Sequence, residues 1–265
     1  MLKEARRLLL RARQASSRRA LLALGMLTGA LALGLGVVPA HATPPDVITA
    51  AEYAEPVTRY GHNVFGDAAE WGALKLTVEK CYGCETRKTE TITIRLPETR
   101  VFEDTAPRLI DLDDDSIPEV VVIESDLSQG ARLAVYDEAG LITATPFIGQ
   151  TYRWLAPLGA ADLDGDGVVE LAYVDRPHLA KILRIWRYSD RTLSFVTELP
   201  GLTNHRIGET TITGGIRDCG TGPEIVTVDA TWQQVMVTRL SAGQLTTQPL
   251  GRFSSAAVSN ALNCG

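Results

Sequence analysis

Few features of this sequence are typical of an enzyme. Only four histidines occur, and the three that follow residue 42 (His62, His178 and His205) are widely separated. The chain has no Gly-x-Ser-x-Gly elbow, no phosphate-binding glycine loop and no zinc-ligand spacing. These absences argue against the hydrolases, nucleotide-dependent enzymes and zinc enzymes that such motifs mark.

Long apolar runs are also scarce, with one exception at the N-terminus. Residues 1–42 contain seven basic residues, an apolar stretch over 21–38 and an Ala-His-Ala sequence at 40–42, which together predict an export signal. Residues 17–22, Ser-Arg-Arg-Ala-Leu-Leu, resemble a twin-arginine signal. An uncleaved membrane anchor is the alternative, because the apolar stretch is nearly long enough to span a bilayer. We expect residues 43–265 to form one domain, periplasmic or secreted and monomeric.

Basic charge becomes scarce once this segment is set aside. It carries seven of the 26 basic residues and one of the 32 acidic residues, which leaves 19 basic and 31 acidic residues and a net charge of −12. An acidic chain of this kind is a poor candidate for binding nucleic acid or an anionic membrane through bulk charge. No second apolar stretch approaches the length of a membrane span.

Two acidic stretches lack what an EF-hand requires. The first acidic loop (residues 111–119, Asp-Leu-Asp-Asp-Asp-Ser-Ile-Pro-Glu) and the second acidic loop (residues 162–170, Asp-Leu-Asp-Gly-Asp-Gly-Val-Val-Glu) place oxygen ligands at positions one, three, five and nine. The bidentate Glu of an EF-hand would fall on Val122 and Tyr173, and apolar β-type runs follow where helices should stand. The spacing still suits a hard cation, with a solvated turn as the alternative.

The acidic loops belong to a longer repeat. A third loop (residues 218–224, Asp-Cys-Gly-Thr-Gly-Pro-Glu) is shorter and lacks the middle carboxylates, so we expect it to hold its turn without metal. Each loop precedes an apolar strand, a further strand, a polar turn and a last short strand. Residues 60–67, 73–78, 89–96 and 99–102 are read as a degenerate first unit, and residues 254–264 as the first strand of another.

Units of this kind recur with loop starts at residues 67, 111, 162, 218 and 263, which are 44, 51, 56 and 45 residues apart. Four-stranded units at this period predict an all-β fold, a small β-propeller of four full four-stranded blades plus a closing or thin fifth. The metal loops then lie between the inner two strands of two blades. An irregular β-sandwich is the alternative.

Asp-Leu-Asp-Asp-Asp-Ser-Ile-Pro-Glu and Asp-Leu-Asp-Gly-Asp-Gly-Val-Val-Glu, each followed by an apolar strand, resemble FG-GAP (VCBS-type) repeats, as in the propellers of integrin α-subunits. The resemblance implies calcium as the bound ion. It departs from the family at Ser116, where Gly is usual, and in a chain too short for seven blades. The ligands it implies are Asp111, Asp113, Asp115, Ile117, Glu119, Asp162, Asp164, Asp166, Val168 and Glu170.

The four cysteines allow three pairings. Cys81 and Cys84 stand in a turn between two predicted strands, which favours a local bridge over a redox Cys-x-x-Cys motif, because no βαβ setting is visible. Cys219 and Cys264 occupy equivalent places in neighbouring predicted units. We therefore predict the bridges Cys81–Cys84 and Cys219–Cys264.

One further recurrence is a basic residue before each predicted innermost strand, on the edge opposite the metal loops. We interpret these arginines as ion-paired with the acids that end the second strands, Glu79, Glu124, Asp175 and Asp229. A ligand-binding ring is the alternative. With the nearby histidines and tyrosine, the ligand-face candidates are Arg59, Arg100, Arg153, Arg206, Arg252, His62, His205 and Tyr152.

Three functions are compatible with this sequence. The favoured one is an exported, non-enzymatic binding module, with structural calcium and a protein or carbohydrate partner on one propeller face. The second is a polysaccharide lyase or hydrolase that uses His62, His205, Tyr152 and Arg153 on an acidic sugar polymer. The third is a purely structural component of the cell envelope.

Overall fold

The regular secondary structure of the described polypeptide consists almost entirely of antiparallel strands. The computed structural model describes residues 45–66 and 69–265, so the predicted export signal and the predicted loop start at residue 67 lie outside the described residues. The all-β prediction is confirmed: the described residues form 17 strands and one helix. No helix in these two ranges is long and apolar enough to cross a bilayer.

The first unit is a three-stranded sheet with β2 in its centre. Its strands are β1 (Val47–Val57), β2 (Glu70–Lys80) and β3 (Lys88–Arg95), and β2 pairs with both neighbours. No strand forms over residues 60–66, the described part of the strand predicted over 60–67. Gly61, Asn63 and Gly66 there have φ of 60°, 53° and 83°, values that an extended strand does not accommodate.

The second unit has an interrupted first strand. Both β4 (Arg100–Phe102) and β5 (Arg108–Ile110) pair with β6 (Glu119–Asp126), which is followed by β7 (Gly130–Asp137) and β8 (Gly140–Ala144). Residues 99–102 therefore begin this unit rather than end the first one, as predicted from sequence. A single pair, Trp71 and Phe102, joins the sheets of the two units.

The third unit is the most regular. Its strands follow the order of the chain: β9 (Leu155–Ala161), β10 (Glu170–Asp175), β11 (Ile182–Ser189) and β12 (Thr192–Pro200). The second strands of the second and third units, β6 and β10, are buried at every residue, whereas β12 is largely exposed. A strand covered on both faces is a nearly continuous apolar run, as Leu171-Ala-Tyr-Val174 is.

The fourth unit repeats the interrupted first strand. Both β13 (Leu202–Thr203) and β14 (Gly215–Asp218) pair with β15 (Pro223–Asp229), and β16 (Gln234–Ser241) and β17 (Gln244–Arg252) complete the sheet. The third loop joins β14 to β15, just as the first acidic loop joins β5 to β6 and the second joins β9 to β10. The predicted position of the loops between the first two strands of a unit is therefore observed.

The C-terminal segment 254–264, predicted to be a strand, is mostly a helix, α1 (Ser255–Leu262). The Ser254 side chain accepts a hydrogen bond from Ala257 N, which caps the first turn. Val258 and Ala261 are buried in a cluster with Val226 and Val228 of β15. The prediction of a C-terminal strand that closes the ring is therefore wrong. Three four-stranded units and one three-stranded unit replace the predicted four full blades and a fifth, and a closed propeller remains a prediction.

Candidate functional site

The first acidic loop is held in shape by hydrogen bonds that its own carboxylates accept from backbone N–H groups. Asp111 Oδ2 accepts from Ser116 N at 2.9 Å, and Asp115 Oδ1 accepts from Ile117 N at 2.7 Å. Glu119 Oε2 reaches back to accept from Leu112 N at 3.0 Å. These bonds fold the chain around a small space and leave other carboxylate oxygens free to face it.

Three carboxylates of this loop converge. Asp111, Asp113 and Asp115 each offer an oxygen within 4.8 Å of the others, and Asp111 Oδ1 is buried without a hydrogen-bond partner. Burial, followed by the charges of Asp115 and Asp111, raises the pKa of Asp113, and burial raises the pKa of Glu119 to about 7. No Lys or Arg of the described residues forms an ion pair with these four acids. The loop thus carries negative charge with no counter-ion of its own.

The second acidic loop has the same kind of hydrogen bonds from backbone N–H groups to its carboxylates, but it also has an arginine as counter-ion. Both Asp162 oxygens accept backbone N–H groups of residues 165–167, and Glu170 Oε2 accepts from Leu163 N at 2.9 Å. Oxygens of Asp162, Asp164 and Glu170 lie within 4.8 Å of one another. The guanidinium of Arg187 lies 2.9 Å from Asp164 and Asp166 and 2.6 Å from Glu170. Burial raises the pKa of Glu170, opposed in part by Arg187.

The third loop has no cluster of converging carboxylates, and its single glutamate pairs with arginines. Glu224, at the position of Glu119 and Glu170, pairs with Arg217 at 2.8 Å and also with Arg239. Glu224 thus has counter-ions within the chain, and the expectation that this loop holds its turn without metal stays a prediction.

The donor set of the two acidic loops fits a hard divalent cation. All side-chain donors are carboxylate oxygens, the ligands that calcium and magnesium prefer, and one buried oxygen in each loop (Asp111 Oδ1 and Asp164 Oδ1) lacks a partner. Of the sequence-predicted ligands, six converge as described. Glu119 and Asp166 are not among the residues whose oxygens lie within 4.8 Å of one another. The N–H groups of Ile117 and Val168 donate to Asp115 and Asp166.

At the opposite end of the strands, His62 stands in an aromatic and acidic setting. Its Nδ1 lies 2.6 Å from Glu103 Oε1, and its ring stacks on Tyr152 with centroids 5.3 Å apart. Tyr60 OH accepts from Tyr152 N at 3.0 Å. Glu103 is buried, which raises its pKa, and Ser125 donates to its other oxygen. Sequence reasoning selected His62 and Tyr152 but missed Glu103; its place directly after the buried strand β4 was the available signal.

The other two histidines bond to each other beside the same end. His178 Nε2 and His205 Nδ1 are 2.9 Å apart, and His205 Nε2 bonds to the carbonyl of Glu209. Trp154, buried in the core, stacks on His178 and donates to the Glu103 carbonyl at 2.9 Å. Burial, together with the nearby His205, lowers the pKa of His178 to about 4. His205 is therefore an interior residue, while His178 was not selected from the sequence.

The five recurrent arginines make different contacts from one another. Arg59 donates to the carbonyl of Arg100, and Arg100 lies 3.6 Å from Glu124, the one pair of the predicted kind. Arg206 covers the Trp232 ring at 3.9 Å. Arg153 and Arg252 have no ion pair within the described part of the chain. The other predicted acids bind elsewhere: Glu79 to Arg87, Asp175 to Arg176 and Arg184, and Asp229 to backbone N–H groups.

Both predicted disulfides form. Cys81 pairs with Cys84 and Cys219 with Cys264, with Cα atoms 5.6 and 5.5 Å apart. Cys264 follows a helix, so the second pairing was predicted for an incorrect reason.

Comparison with protein families gives a match over part of the chain. Residues 111–173, which include both acidic loops, match the model of the FG-GAP-like repeat, as their resemblance predicted. No curated protein matches the chain significantly.

Proposed function

We propose that this protein is an exported, calcium-binding β-propeller that acts as a non-enzymatic binding module. One observation carries the proposal: two loops at equivalent places in successive units each gather three carboxylates within 4.8 Å, inside a segment that matches an FG-GAP-like repeat. The two disulfides support export, because such bonds persist in oxidising compartments.

Calcium is the cation that best fits such loops. Calcium accepts six to eight oxygen ligands in flexible geometry, whereas magnesium requires a near-octahedral set and keeps several waters. Titration calorimetry of the purified protein with each ion tests this assignment. We expect calcium to bind at roughly 10⁻⁴ to 10⁻³ M, as in extracellular modules, and magnesium to bind more weakly. Absence of calcium binding at several times these concentrations would refute it.

The partner is proposed to bind at the end opposite the acidic loops. Three large apolar side chains are exposed there, Tyr152 at 48%, Leu179 at 61% and Ile207 at 73%. They flank the His62 and His205 clusters, and exposed apolar groups near polar rims are typical of interaction sites. For a protein or carbohydrate partner in the cell envelope, binding of labelled protein to isolated envelopes tests this.

In that assay, the double variant Tyr152→Ala, Ile207→Ser should bind less, while Leu250→Ser should bind as the wild type does. Leu250 is a suitable control because it is 44% exposed and lies on the outermost strand β17. Equal binding by all three proteins would remove this face from the proposal.

The His62–Glu103 pair favours acid–base catalysis as a second candidate function. A buried carboxylate that fixes an imidazole, whose side chain is 18% exposed, is an arrangement used by general bases. It would act on an acidic polysaccharide, with Tyr152 stacked on the imidazole and Arg153 bonded to the Tyr152 carbonyl. Release of reducing or unsaturated ends by the wild type, lost in His62→Gln and kept in the neighbouring Asn63→Ala, would support it. No release by the wild type from a panel of polyuronates would dismiss it.

A further inference from the structure

The three units carry different residues at one equivalent strand position, which lies opposite the last acid of each loop. Glu170 at the start of β10 pairs in register with Arg187 on β11. One step beyond the pair Val120–Tyr136, the same register places Asp137 opposite Glu119. One step beyond the pair Ile225–Thr238, it places Arg239 opposite Glu224. The same structural position thus carries an acid in one unit and a base in the next two.

In the second acidic loop, this position supplies a cation from within the chain. The Arg187 guanidinium touches Asp164, Asp166 and Glu170, three of the four loop acids. Its side chain is only 28% exposed, so solvent screens these contacts incompletely. Two of the residues that it engages, Asp164 and Glu170, belong to the converging cluster, so the guanidinium already offsets part of the negative charge that would attract a metal ion.

In the first acidic loop, the same position adds negative charge. Asp137 lines one shallow depression together with Asp113, Asp115 and Glu119. Its own partner is Arg191 from the third unit, at 2.6 Å, and Arg191 is 60% exposed. Arg191 lines the same depression but makes no ion pair with a loop acid, so none of the four loop acids has a counter-ion in direct contact within the described chain.

We propose that the residue opposite the last loop acid sets how strongly each loop depends on calcium. Asp137 makes the first acidic loop the tighter and more calcium-dependent site. Arg187 is an internal counter-ion that weakens calcium binding by the second loop and stabilises that loop when calcium is absent. Arg239 completes the series in the third loop, where arginines alone hold Glu224. The inference rests on the proposed binding of calcium and adds a specificity-determining residue to it.

Titration calorimetry of calcium into Arg187→Met tests the proposal, with Asp164→Asn used to assign the binding step of the second loop. Removing one cation in close contact with the ligands should tighten that step roughly tenfold or more. Arg184→Met is the matched control: Arg184 lies on the same strand, 3.3 Å from Asp175 and away from the loop, and its loss should leave both steps unchanged. In chelator, Arg187→Met should also melt below the Arg184→Met protein.

The converse variant, Asp137→Arg, keeps the test open if Arg187→Met fails to fold. It places a counter-ion beside the first acidic loop and should weaken its calcium step roughly tenfold or more, without affecting the second loop. Calcium binding that neither variant changes would overturn the role of this position while leaving the proposed function intact. Absence of calcium binding in the wild type would instead refute the proposed function itself.

Discussion

The Cys219–Cys264 disulfide should contribute far more to stability than the Cys81–Cys84 disulfide. The first joins residues 45 apart in sequence and the second residues 3 apart. Cross-linking removes loop-closure entropy from the unfolded chain, and this entropy grows with the logarithm of loop length. For these separations it amounts to about 4 kcal/mol and about 1.6 kcal/mol, a difference of about 2.4 kcal/mol.

The contacts of helix α1 explain why the longer bridge matters locally as well. The helix has eight residues, too few to be stable alone, and it buries only Val258 and Ala261. Without its covalent link to Cys219, the helix would be retained by these two side chains, by the partly buried Ala257 and Leu262, and by the bond from Arg217 to the Ala261 carbonyl. Serine replacement of both cysteines should therefore also loosen the C-terminus.

Guanidinium unfolding of the two double serine variants, followed by tryptophan fluorescence, measures the difference. The Cys219→Ser, Cys264→Ser protein should lose about 4 kcal/mol, a large part of the 5–15 kcal/mol typical of a domain. The Cys81→Ser, Cys84→Ser protein is the matched control and should lose much less. Equal losses, with unchanged dependence on denaturant, would refute the argument from loop length.

Three further results are expected. Calcium at ten times its Kd should add about 1.4 kcal/mol of stability per occupied loop, seen as a higher melting temperature, and Asp164→Ala should remove the share of one loop. Ser116→Gly should stabilise the protein by roughly 1 kcal/mol in urea unfolding, because Ser116 has φ of 68° where Gly167 of the other loop has 88°; an equal or lower midpoint would contradict this. Because the pKa of His178 is lowered to about 4, the unfolded chain takes up its proton first, so stability should fall as pH falls from about 6.5 towards 4. His178→Gln should show a shallower fall between pH 6.5 and 5, and an unchanged slope would contradict the assignment.

The features that the sequence predicted correctly are those encoded locally. The acidic loops, their place between first and second strands, the β-type runs after them and the polar turns each depend on a few adjacent residues. The match of residues 111–173 to the FG-GAP-like repeat falls where these signals are densest.

The wrong strand predictions arise where the repeat was assigned to segments with only weak similarity to the other units. Ala261-Leu-Asn-Cys264-Gly echoes Ile216-Arg-Asp-Cys219-Gly, but the alanines of residues 256–261 and the Ser254 cap favour a helix over a strand. Residues 60–67 resembled a first strand, although glycines at 61 and 66 indicated a bend.

Contacts between distant parts of the chain were not predictable from the local residue signals or from the repeat. The pairing of Arg187 with the second loop depends on strand register, and the meeting of His62 with Glu103 depends on how units pack. Nothing in the spacing of these residues along the chain encodes such distances.

The interrupted first strands of the second and fourth units create positions where side chains are not bound by the alternation of a strand. A continuous strand must alternate its side chains strictly, so a polar residue that replaces an inward apolar one damages the core. The breaks at residues 103–107 and 204–214 escape this rule, and they are where Glu103 and His205 enter the interior. At the end of the acidic loops, turns bound by carboxylates fix the first strand of a unit against its second strand. New recognition chemistry can therefore arise in the breaks by substitution or insertion, while the turns keep these two strands in register.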